Sequence, residues 1–151
     1  MSGLLAVLGA AGVGLGSALV PLVNAEVYAV ATAGRTHPVV AVAVVVALAC
    51  GQTAGKLALF EAARRGSGRL LRRRKAPSGR WAGRITRALG SRRTGNPLVL
   101  ASAVLGLPPL AAVSLAAGAS GQRRWEFGLI CLVGRTVRFG ALALPAAWAL
   151  T

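Results

Sequence analysis

The chain contains no aspartate. Its acids are three glutamates, Glu26, Glu61 and Glu126, set against 18 Lys and Arg. His37 is the single histidine. This scarcity leaves no carboxylate pair for general acid–base work and no ligand set for a metal-dependent lipid phosphotransferase. The expectation is a protein that is not an enzyme and needs no metal or cofactor. Aromatics make up 5% of the residues and no recognition motif accompanies the arginines, so the net charge of +15 does not imply a nucleic-acid partner. Cys50 and Cys131 lie inside apolar runs, without CxxC spacing or a nearby histidine. They read as buried, reduced thiols that pack as small hydrophobes.

What is abundant is apolar. Soluble domains carry about 25% charged residues; this chain carries 14%, with 55% hydrophobic residues and a mean hydropathy of +0.64. The charge is also segregated. Of the 18 basic residues, 12 fall between Arg64 and Arg93, and the flanks are nearly uncharged for tens of residues. A soluble core of this size is too small to hide two such segments. The pattern is that of an all-α integral membrane protein with a basic cytoplasmic loop. Sixteen of the basic residues are arginine, and Ala and Gly abound. That bias suits a high-GC bacterial genome, which places the protein in a bacterial plasma membrane.

Residues 3–34 are apolar, glycine-rich and broken at Pro21. The run ends in "VNA", which resembles a signal-peptidase site, but no Lys or Arg precedes it and glycines punctuate it, so cleavage before Glu26 is not expected. A spanning helix is expected over 37–60, where about 1.5 Å per residue covers a hydrocarbon core of about 30 Å. Residues 61–96 form the basic loop. Within it, "RWAGRITRALG" sets Trp81, Ile85, Ala88 and Leu89 at helical spacing, with Arg80, Arg84 and Arg87 opposite. It reads as a short helix lying in the membrane interface. Residues 97–121 are apolar and broken at Pro108-Pro109; 125–150 form a second spanning helix with Trp125 and Trp148 as interface anchors. The organisation is a first membrane half (1–60), the loop, and a second membrane half (97–151).

The two halves resemble each other. The first reads Pro21, then "AVATAG" to Gly34, then Arg35, then a helix carrying "GKLALF". The second reads Pro108-Pro109, then "VSLAAG" to Gly118, then Arg123-Arg124, then a helix carrying "GRTVRF". Paired Pro/Gly-interrupted segments point to a transporter-type site. Segments 3–34 and 97–121 are too long for one broken crossing and too short for two, so each reads as a re-entrant hairpin, the first breaking at Pro21 and Gly34, the second at Pro108, Pro109 and Gly118. If 97–121 dips in and returns, the positive-inside rule is kept, Arg35 lies outside, both termini face outward, and the repeat is inverted. Gly12-x-x-x-Gly16 and Gly51-x-x-x-Gly55 suit close helix approach.

Glu26, Lys56, Arg135 and Arg138 are charges inside or beside apolar segments, each costing about 2.5–3.5 kcal/mol at a helix centre. Lys56 is near enough to a helix end to snorkel. Arg135 and Arg138 share a face near mid-span and need an anion; Glu26 is the acid best placed, with Asn24 beside it. Glu61 sits beside the basic loop, and Glu126 suits the start of a helix. A lone membrane carboxylate tends toward its protonated form, which makes Glu26 a candidate proton carrier.

These stretches resemble the DedA/VTT superfamily, which includes the SNARE-associated Golgi proteins. The resemblance rests on "PLVNAEVYAVATAG", "GQTAGKLALFEAARRG" and "GLPPLAAVSLAAGASGQRRWEFGLICLVGRTVRF". It implies two re-entrant hairpins meeting in the membrane and a lipid-handling role, with Glu26 at the family's acidic hairpin position and Arg135 and Arg138 at its helix arginines. "GLPPLAAVS" lacks the second acid and the arginine that the family often carries there.

The functional expectation is a translocase for an anionic lipid phosphate such as undecaprenyl phosphate, coupled to protons. Its site is Glu26, Arg135, Arg138, Lys56 and Asn24, and its partners are membrane lipids, protons and, in a homo-oligomer, a second copy. The alternatives are a small multidrug-type cation exporter and a non-transporting scaffold whose basic loop binds lipid.

Overall fold

Pro38 occupies the first turn of the longest helix, where a missing N–H leaves no hydrogen bond unmade. A computed structural model describes residues 3–19, 24–66 and 80–149 of the protein. Seven helices lie among these residues: α1 (Gly3–Leu19), α2 (Ala25–Ala33), α3 (Pro38–Gly66), α4 (Arg80–Leu89), α5 (Arg92–Leu105), α6 (Leu110–Ala119) and α7 (Arg124–Ala149). No strand accompanies them among the described residues. Two helices, α3 with 29 residues and α7 with 26, are long and apolar enough to cross a membrane. At about 1.5 Å per residue they measure roughly 43 and 39 Å.

The helix expected to stop at residue 60 runs on to Gly66. Glu61 therefore lies inside α3 rather than in a loop, and accepts a hydrogen bond from Arg65 Nε one turn later at 2.9 Å. Arg64 and Arg65 in the last turn also suit the negative end of the helix dipole. Pro21 and residues 67–79 lie outside the described residues.

The chain forms two compact units, Met1–Gly55 with Leu132–Thr151, and Lys56–Cys131. The first gathers α1, α2, the first part of α3 and the last part of α7. Small residues let its backbones approach. Ala6, Ala10, Gly14 and Ala18 recur every four residues along α1 and are all buried. A Cβ on Gly14 would meet the Leu48 carbonyl, and one on Gly51 the Ala11 carbonyl. With little apolar contrast between side chains and lipid tails, such close contact is what holds membrane helices together. Gly3 lies against Val40, near the start of α3. Tyr28 Oη donates to the Ala6 carbonyl at 3.2 Å, tying α2 to α1. Ala25, Ala29 and Ala33 of α2, Val44 and Leu48 of α3 and Phe139 of α7 share the core.

The second unit gathers α4, α5, α6 and the remaining parts of α3 and α7. Phe60 and Phe127, both fully buried, stack with ring centroids 4.9 Å apart. Val99, Ala103, Val113, Ala117 and Cys131 pack in the same core. α5 ends at Gly106, whose φ of 80° is a left-handed cap that a side chain would strain. The Gly106 N–H donates to the Ser102 carbonyl at 2.9 Å. The Leu107–Pro108 peptide is cis, and Pro109 caps α6. Gln122 Nε2 donates to Asn96 Oδ1 at 2.8 Å, which clasps the two ends of the 96–122 segment together.

Several expectations change. Gly12 and Gly16 face open space, and the glycine of α1 that meets α3 is Gly14. The sequence motif was present, but its register was off by two residues. Gly118 is not a break: it lies within α6, against the Phe60 carbonyl. The chain turns instead at Gly121, with φ 77°. Gly34 does close α2. Cys50 is exposed and only Cys131 is buried. Ile85 and Leu89 of α4 are buried in the core of the second unit, so that apolar face meets protein rather than lipid. The Trp81 side chain lies outside the described residues.

Candidate functional site

Asn24 sets up the site in the first unit. Its backbone is extended, and its side-chain oxygen accepts from the N–H groups of Glu26 and Val27 at 3.1 and 3.4 Å. That N-cap begins α2 and fixes Glu26 in its first turn, where the helix dipole favours a carboxylate. Asn24 thus positions Glu26, and it is exposed.

Glu26 meets Arg138. Arg138 Nε donates to Glu26 Oε1 at 2.6 Å, and Nη2 lies 2.5 Å from the same oxygen. A charge-assisted contact of this length is among the stronger polar interactions a protein makes. The side chains are 37% and 22% exposed, so the pair lies at the edge of the unit, within reach of a ligand. Arg138 lies 14 residues beyond the start of α7, roughly 21 Å along a helix of about 39 Å. The pair is therefore far from both ends of α7. Arg135 lies one turn earlier on the same side of α7 and is buried. Two guanidinium groups thus lie within a turn of each other on α7, and one of them holds the Glu26 carboxylate.

Lys56 takes a different place. It belongs to the second unit and is only 6% exposed, so it does not snorkel to water. Of the expected site residues, Glu26 is in contact with Arg138 and with Asn24.

The acids of the second unit are also engaged by arginine. Glu126, nearly buried, lies 3.4 Å from Arg92 Nη2. Arg123 and Arg124, close to it in sequence, make no ion pair with it. This pairing and the Gln122–Asn96 clasp escaped sequence reasoning, because nothing in residues 92–126 links these positions by spacing. Each of the three glutamates thus pairs with an arginine. No group of three His, Cys, Asp or Glu converges among the described residues.

Compared with family models, with curated proteins and with solved structures, the chain finds no match.

Proposed function

We propose that the protein is a membrane translocase for an anionic lipid phosphate, of which undecaprenyl phosphate is the type, in a bacterial plasma membrane. The observation that carries this reading is the Glu26–Arg138 pair, with Arg135 one turn away, at mid-length on a helix long enough to span. Charge at that depth is costly, and where it occurs it commonly marks a substrate or proton pathway. A phosphate arriving at the pair takes the guanidinium hydrogen bonds, and Glu26 then takes up a proton or faces water. Anion and proton are then taken up together, which couples the two.

Two contacts support re-entrant hairpins. In the first unit, α1 begins beside Val40, and the chain returns through Gly34 to begin α3 at Pro38. In the second, the Gln122–Asn96 bond brings the segment back to where it started. Each unit also holds a phenylalanine from a "G-[KR]-x-x-x-F" stretch, Phe139 in the first and Phe60 in the second. Two re-entrant hairpins are also what the DedA/VTT resemblance implies. A cation exporter is less well supported, because Glu26 is already engaged by a cation.

The test is flipping of a fluorescent polyprenyl phosphate in proteoliposomes. Wild type flips it; Glu26→Gln and Arg135→Ala lower the initial rate. Equal rates in all three, or transport of lipophilic cations instead, would overturn the assignment.

A further inference from the structure

The second unit holds a second candidate site, built from residues other than the Glu26–Arg138 pair. An open cleft of about 630 Å³ lies where the end of α3 meets the start of α7. Arg64, Arg123 and Arg124 line it, together with Glu61, Gln122 and Trp125. Neither Arg123 nor Arg124 has an ion-pair partner among the described residues, and both are exposed. The first N–H groups of the 26-residue α7 point to the same end. These features suit a phosphate.

A second observation narrows the ligand. Gln122 is more than nine-tenths buried, and its Oε1 has no hydrogen-bond partner. Glu61 Oε2 is likewise buried without one. Both residues line the cleft. An unmade hydrogen bond at a buried oxygen is costly, and it is relieved by a donor. A phosphodiester by itself offers the cleft acceptors but no such donor. Trp125, 60% exposed at the start of a spanning helix, is the type of residue that sits at headgroup level.

We infer that this cleft binds a phosphodiester lipid headgroup that carries hydrogen-bond donors, an ammonium or hydroxyl group. The phosphate rests on Arg123 and Arg124, and the donor end faces Gln122 and Glu61. This inference is independent of whether the protein moves lipid. A choline headgroup has the phosphate but no donor, so it fits only half of the site.

The experiment uses the full chain in neutral detergent, with Trp81→Phe and Trp148→Phe so that Trp125 alone reports. Short-chain phosphatidylglycerol, phosphatidylethanolamine and phosphatidylcholine are titrated, and inorganic phosphate separately. The glycerol and ethanolamine lipids shift Trp125 emission saturably, and the choline lipid binds about tenfold more weakly, as the loss of one charged-group hydrogen bond predicts. Arg123→Ala with Arg124→Ala weakens binding about tenfold or more. Arg72→Ala, Arg73→Ala and Arg74→Ala together leave it unchanged. Unaltered helicity by circular dichroism shows that each variant is folded, and Gln122→Ala, which leaves the arginines intact, abolishes the preference over choline. Equal affinity for all three lipids, binding of inorganic phosphate alone, or equal loss in the loop variant would overturn the inference.

Discussion

Arg138 Nε lies 2.6 Å from Glu26 Oε1, joining α7 to the first turn of α2 across 112 residues of chain. The pair has a stability consequence. Glu26→Gln and Arg138→Ala each destabilise the first unit by roughly 1.5–3 kcal/mol, the range for hydrogen bonds to charged groups. The two losses do not add, because both remove the same contact. A double-mutant cycle by denaturant titration in mixed micelles measures the coupling. Additive losses would mean that the two side chains do not interact.

Glycine packing makes a sharp contrast. Gly118→Ala places a methyl group against the Phe60 carbonyl and Gly51→Ala one against the Ala11 carbonyl. Backbone cannot yield as a side chain can, so each costs about 1–3 kcal/mol. Gly12→Ala and Gly16→Ala meet open space; as helix positions they are neutral or gain up to about 1 kcal/mol. Thermal melts of the four variants in one detergent give the comparison, and equal shifts would refute the packing assignment.

This contrast also shows what could be read in the sequence. The spanning helices were legible because an uninterrupted apolar run needs no partner to be recognised. Glu26, Arg135 and Arg138 stood out because charge in such a run is costly. The α1 register was misread: "GxxxG" is one of several small-residue spacings in a glycine-rich helix, and only the partner backbone shows that Ala6, Ala10, Gly14 and Ala18 face inward. The fate of α4 was equally hidden. An amphipathic face has the same pattern whether lipid or protein covers it, and here Leu110 and Val99 share the core with Ile85 and Leu89.

The Phe60–Phe127 stack anchors the second unit. Phe60→Ala or Phe127→Ala is expected to cost about 3–5 kcal/mol. The coupling between them is about 0.5–1.5 kcal/mol beyond burial. Unfolding followed by circular dichroism checks both numbers. A loss below 1 kcal/mol for either ring would show that it is not in the core.

The cysteines report on exposure directly. Cys50 faces outward from α3 and Cys131 is buried. A small maleimide in detergent therefore modifies Cys50 in the folded protein and Cys131 only after denaturation. Mass spectrometry of the two peptides reads the outcome; rapid labelling at Cys131 would contradict the core of the second unit.

The most direct measurement is lipid flipping by the double variant Glu26→Leu, Arg138→Leu. Replacing both members of an ion pair by apolar side chains is often neutral for folding, so this protein remains folded while losing the Glu26–Arg138 pair. The account predicts normal helicity and an initial rate of polyprenyl phosphate flipping indistinguishable from protein-free liposomes. Flipping at the wild-type rate by the same folded variant would contradict it.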